Sequence, residues 1–183
     1  ELESKMRFGW LTLSLSSSPH EDKQNIDNVL IQAQEAERLG FEDVWLTEHY
    51  FTGESVYNDS LLFAAALAMK TKKIRIGFSV VQMPFHHPVR LATQLALLDN
   101  LSNGRIDVGV GKGTVFNEYE FIGHGLRSED SPQRAKEGFE ILEKAWKGGR
   151  FSHKGHFYDI EVPDIRPRPV SYTHLRAHET TPH

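Results

Sequence analysis

The 183-residue sequence has no cysteine, which excludes a disulfide framework, a thiolate nucleophile and a cysteine-ligated metal, and matches a reducing cytoplasm. Long hydrophobic runs are missing too. Its apolar stretches fall well short of the roughly 20 residues a membrane helix takes, and no signal-peptide pattern is seen at its start, so a soluble intracellular protein is expected. Basic residues are not in excess: the formal net charge is −4, and Lys and Arg form no cluster of the kind that phosphate backbones require, so nucleic acid is not an expected partner. No His-x-His pair closes the first apolar segment and no carboxylate cluster follows the later ones, so no metal site is expected. A Gly-x-Ser-x-Gly nucleophile elbow is also absent.

What is present is ordinary globular composition, 39% hydrophobic and 25% charged, enough for one domain with a core. The chain starts at Glu1, but Met6, where the first strand-like run begins, is a plausible native start, so residues 1–5 are expected to be an extension. Residues 171–183 carry three of the ten histidines and no apolar period. They are read as a non-native tail outside the fold, which leaves 6–170 as the folded unit.

Within that unit, strand and helix patterns alternate. Residues 6–15 are apolar and partly alternating, and end in Ser16, Ser17, Ser18 and Pro19, which predicts a strand and a loop. Ile26, Val29, Leu30, Ala33 and Leu39 keep a helical stripe, closed by Gly40. Residues 43–47 form a short buried strand that runs into Glu48, His49, Tyr50 and Phe51. A second helix starts near the potential caps Asn58, Asp59 and Ser60 and carries Leu61, Leu62, Ala65, Ala68 and Met69. Strand 74–81, a Pro88-initiated helix with Leu91, Leu95, Leu98 and Leu101, strand 105–110, and a helix from Ser131 and Pro132 to Gly148 follow; residues 151–162 read as a hairpin or extended loop. Four βα units imply right-handed crossovers and a parallel sheet. The expected class is α/β, a (β/α) TIM-type barrel with only about its first four units present, because a closed barrel takes about 250 residues. A complete open doubly wound sheet is the competing architecture.

In both architectures ligands bind at the carboxyl ends of the strands. Those positions hold Ser14 and Ser16, then Glu48 and His49, then Ser79 and Gln82, then Gly111, Lys112 and Gly113. His49 can exchange protons near neutral pH, and Glu48 can orient it or position another donor, although a loop histidine is more often a surface residue. His86 and His87 precede Pro88 and read as capping and packing around that turn. The alternating Gly109, Gly111 and Gly113 either let backbone approach a ligand or serve tight packing; Lys112 offers a phosphate a cation or is simply solvated.

Four segments together carry a family resemblance: Met6-Arg7-Phe8-Gly9, Val44 through Glu48-His49-Tyr50-Phe51, Pro84 through His87-Pro88-Val89-Arg90, and Leu97-Leu98-Asp99 through Ser102-Asn103-Gly104-Arg105 to Gly109. In order and spacing they resemble the bacterial luciferase-like flavin monooxygenases. The resemblance implies a barrel whose carboxyl mouth binds reduced FMN, often supplied by a separate reductase, and a small organic substrate that is oxidised with O2. It places the catalytic histidine on His49, with Glu48 beside it, and a phosphate-contacting cation on Lys112 next to Gly111. It places Ser79 and Val80 at a non-prolyl cis peptide beneath the flavin ring. A deazaflavin-dependent oxidoreductase of the same superfamily and a non-catalytic flavoprotein or dimerisation module are the alternatives. Family members continue beyond this sequence into four more strands, so the chain is expected to be a fragment of a homo-oligomeric full-length parent.

Overall fold

The computed structural model describes residues 6–171 and 178–179. The elements run β1 (Gly9–Thr12), α1 (Asp22–Arg38), β2 (Asp43–Leu46), α2 (Ser60–Lys70), β3 (Arg75–Gln82), α3 (Pro88–Ser102), β4 (Ile106–Gly111), α4 (Glu118–Gly123), α5 (Ser131–Lys147), β5 (Phe151–Lys154), β6 (Asp159–Val162) and β7 (His178–Glu179). Strands β1 to β4 pair in parallel in sequence order, and β7 adds to the edge of β4. That order decides between the two expected architectures. A doubly wound sheet reverses direction at a switch point and carries helices on both faces, whereas here each strand lies beside its predecessor. The four strands make a barrel segment.

Alternation along the strands separates two faces. Val44, Leu46, Ile76, Phe78, Val81, Ile106, Val108 and Val110 are buried and pack with Val29 and Ala33 of α1, Ala64 and Leu67 of α2, and Leu91 and Leu95 of α3 in one core. On the opposite face, Trp45 lies over Gly77, where any Cβ would run into the indole. Beside it, Arg75 makes two bonds to Asp107, at 2.5 and 2.8 Å.

Local chemistry accounts for the helix ends. The Asp59 carboxylate accepts from the Leu62 N–H at 2.9 Å and caps α2, Pro88 opens α3, and Asn103 closes α3 in the left-handed region at φ 56°. The first strand is shorter than the expected 6–15, because Ser14 turns to φ 47° and residues 14–16 bond instead to the loop at 53–56. Strands β5 and β6 form the expected hairpin. The 171–183 segment has no apolar pattern. Its two residues His178 and Glu179 nevertheless pair with Gly109 and Val110; a ladder joins backbone groups and needs no such pattern. Residues 1–5, 172–177 and 180–183 lie outside the described residues.

The hairpin is fastened to α5 by Glu137. This buried carboxylate accepts from the N–H groups of Phe157 at 3.0 Å and Tyr158 at 2.9 Å, and lies 3.1 Å from Nε2 of His153. Burial opposes its ionisation, but the two backbone donors and His153 together outweigh burial and hold its pKa below the ordinary 4.5. A depressed carboxylate contributes stability above its unfolded pKa and loses it as pH falls through the folded value. Glu137→Gln is therefore expected to be less stable than wild type by about 1–3 kcal/mol at pH 7, and the gap should narrow on acidification below pH 4.5. Urea melts across that range test this; a gap that is constant with pH would contradict it.

Candidate active site

All four parallel strands end on one side, and residues just after β2, in the carboxyl half of β3 and at and beyond the end of β4 line an open cleft of about 370 Å3. Glu48, His49, Ser79, Val80, Gly111 and Lys112 all lie in its wall, together with Gln82, Gly113 and Thr114. The six positions expected from the sequence thus converge, although they are far apart in the chain. The Ser79–Val80 peptide is cis, as the resemblance implies.

Glu48 is buried and its carboxylate is occupied. One oxygen accepts from the Gln82 backbone N–H; the other accepts from the Tyr50 hydroxyl at 2.6 Å and lies 2.6 Å from His86 Nε2. Its own carbonyl accepts from Gln82 Nε2 at 2.6 Å. Among the described residues the Glu48 carboxylate bonds Gln82, Tyr50 and His86, and no bond joins it to His49. Burial, followed by the negative charge of Glu48, pushes the Tyr50 phenol well above its ordinary range, so Tyr50 stays a donor.

His49 is oriented from elsewhere. Its Nδ1 lies 3.1 Å from Asn117 Nδ2 and 3.4 Å from Glu120 Oε1, and its Nε2 lies 3.8 Å from Glu54 Oε1. Glu120 is completely buried; it accepts from the Tyr50 N–H at 2.8 Å and from Gln82 Nε2 at 3.2 Å. An aromatic wedge presses α4 onto the strand ends. Phe85 stacks on His124 at 4.6 Å and tilts against Phe121 at 4.8 Å, while Tyr50 meets the His124 ring edge-on at 4.5 Å.

Sequence reasoning missed all three groups around His49, and the expectation that His86 caps and packs is incomplete, because the ring bonds Glu48. His87 packs edge-on against Tyr158 but makes no side-chain cap. A signal for α4 was available: Asn117, Glu120, Phe121 and His124 stand at i, i+3, i+4 and i+7. That stripe is mostly polar, so a search for apolar periodicity passes over it. The glycines of β4 allow tight packing: a Cβ at Gly109 would sit 2.7 Å from the Phe78 carbonyl oxygen, and one at Gly111, which also lines the cleft, would meet the Val80 side chain. Gly113 combines φ +78° with contact to the Phe121 ring. Lys112 is exposed at the rim, and its carbonyl accepts from the Ser131 hydroxyl, joining β4 to the start of α5. Among the described residues no three His, Asp or Glu side chains are placed to hold a metal ion, and no helix is long and apolar enough to cross a membrane.

Residues 6–178 match the family model for luciferase-like monooxygenases. The chain belongs to that family. It is 32% identical over 166 residues to the oxygenase component of flavin-dependent trigonelline monooxygenase from Acinetobacter baylyi, a match that covers 90% of this chain and 46% of that protein. It is 30% identical to F420-dependent glucose-6-phosphate dehydrogenase from Microbacterium testaceum, covering 90% of this chain and 48% of that one. Among solved structures, the oxygenating constituent of 3,6-diketocamphane monooxygenase from Pseudomonas putida, in complex with FMN, superposes with a TM-score of 0.80 at 25% identity, over 94% of this chain and 47% of that chain. The chain thus spans about half the length of the relatives it matches.

Proposed function

We propose that this chain is the amino-terminal half of a monooxygenase barrel that uses reduced FMN and O2 to oxidise a small organic substrate. The observation that carries the reading is the convergence of His49, Ser79, Val80 and Lys112 on one cleft at the carboxyl ends of the parallel strands. The donor set suits a phosphorylated flavin. Val80 offers apolar surface to a planar ring, Lys112 an exposed cation, and Thr114, whose oxygen accepts from the Phe116 N–H, a hydroxyl still free to donate. Bound there, reduced FMN supplies electrons and the activation of O2.

The chain's own residues do the rest. His49 gives or takes a proton beside the reacting atoms, Lys112 holds the phosphate as a point charge, and Glu48 fixes Gln82, Tyr50 and His86 around the cleft. A separate reductase supplies the reduced flavin, in the reducing cytoplasm. The full-length protein is a homo-oligomer in this reading, supported by the exposed Leu62 and Met69 on α2 and Leu97 and Leu101 on the neighbouring α3. The F420-dependent relative favours a second reading, hydride transfer with a deazaflavin and no oxygen.

Lys112→Ala tests the phosphate assignment. In the full-length protein it is expected to weaken FMN binding about tenfold and to leave binding of riboflavin, which has no phosphate, nearly unchanged. An FMN-to-riboflavin affinity ratio equal to that of wild type would remove Lys112 from the site.

A further inference from the structure

We infer that Glu120 is the positioning carboxylate of His49: it holds the imidazole proton on Nδ1 and leaves Nε2 as the atom that exchanges a proton with the substrate. The inference rests on the role proposed for His49.

A neutral imidazole carries one N–H, and two neighbours compete at Nδ1. Asn117 Nδ2, at hydrogen-bond distance (3.1 Å), would donate to a bare Nδ1; Glu120 Oε1, at ion-pair distance (3.4 Å), would attract Nδ1–H. The two do not compete equally. Glu120 is fully buried and both its oxygens are held, one by the Tyr50 N–H and the other by Gln82 Nε2, so it cannot turn away. Asn117 is only partly buried, and a half-turn of its amide presents oxygen in place of nitrogen. A bare Nδ1 lone pair facing a fixed, buried carboxylate oxygen is repelled, whereas Nδ1–H is attracted, and low local polarity strengthens both effects. The fixed carboxylate therefore sets the tautomer, and the amide rotates to suit it.

The other charged groups nearby do not reverse this outcome. Glu48 is committed to His86, Tyr50 and Gln82. Glu54 lies 3.8 Å from Nε2 and is 42% exposed, so solvent weakens its pull. His124 bonds the Glu120 carbonyl at 2.8 Å and not the carboxylate, and Lys112, at the end of β4, lines the same cleft and is exposed to solvent, which weakens its field. When His49 takes a proton it does so at Nε2. The resulting cation keeps Nδ1–H on Glu120 and returns the Nε2 proton to the substrate side.

Nitrogen NMR of the His49 ring tests this without any flavin. Wild type is expected to show the Nδ1–H form as the major neutral tautomer, and Asn117→Ala is expected to leave it so. Glu120→Ala is expected to convert the ring mainly to Nε2–H, with Asn117 as donor, and to lower turnover about tenfold or more at unchanged FMN affinity. Glu120→Gln, which keeps an acceptor, should recover part of that loss. A wild-type ring in the Nε2–H form that Asn117→Ala disturbs would assign the orienting role to Asn117 and overturn the inference, even if Glu120→Ala fails to fold. Because the tautomer is read without cofactor, a protein that shows the expected ring state but oxidises nothing would count against the proposed function alone.

Discussion

His49→Ala in the full-length protein is expected to lower substrate oxidation about a hundredfold or more while FMN affinity stays within about twofold of wild type. The reason is geometric. His49 lines the cleft beside Ser79 and Val80, but the cation suited to a phosphate is Lys112. Removing the ring deletes a proton-handling group and leaves that contact intact. His49→Gln separates shape from proton exchange: it fills the space and can hydrogen-bond, yet cannot exchange a proton near neutral pH. Product formation within twofold of wild type in either variant, with flavin bound, would remove His49 from the chemistry.

The largest effect expected on stability is at Arg105, whose guanidinium is buried at the foot of the sheet. It donates to the Ser102 carbonyl at 2.7 Å, to the Thr71 hydroxyl and the Ile74 carbonyl at 2.9 and 2.8 Å, and to the Ala68 and Thr71 carbonyls at 2.9 and 3.3 Å. Two of those acceptors are carbonyls at the carboxyl end of α2, which have no partner within the helix. One side chain therefore closes α2, the turn into β3 and the end of α3. Burial lowers its pKa, opposed by the charge of Glu37. Arg105→Met is expected to destabilise the fold by about 3–5 kcal/mol, since several buried acceptors lose their donors together. Arg105→Lys should recover less than half, because an ammonium cannot reach acceptors spread over a planar fork. Equilibrium unfolding in urea measures both; a loss below about 1 kcal/mol for Met would mean that water replaces the guanidinium.

Much of the fold was legible because its signals are local and repeated. The stripes of α1, α2, α3 and α5, the cap at Asp59 and the break at Asn103 each mark an element without tertiary information. Four βα units were enough to propose a barrel, and only the strand order excluded the doubly wound alternative. The site was legible in part. Strand ends named Glu48, His49, Ser79, Gln82, Gly111, Lys112 and Gly113, and the resemblance added Val80; these line one cleft, whereas Ser14 and Ser16 at the end of the first strand do not.

What stayed hidden were partnerships made across the fold. His86 and Glu48 are 38 residues apart, and no pattern near Pro88 indicates that the ring turns to a carboxylate and not to the helix end. Glu120 sits in a six-residue helix whose inward face is mostly polar, so hydrophobic periodicity gives it no weight. The role of the β4 glycines depended on Phe78 and Val80 in the neighbouring strand, which the sequence alone leaves open between ligand approach and packing.

Monooxygenation is tested by oxygen consumption of the full-length protein with reduced FMN and, separately, with reduced deazaflavin, over a panel of small organic substrates in isotopically labelled O2. FMN-dependent uptake and a product that carries one labelled oxygen atom are expected. Hydride transfer with the deazaflavin and no uptake with FMN would contradict the proposed monooxygenation.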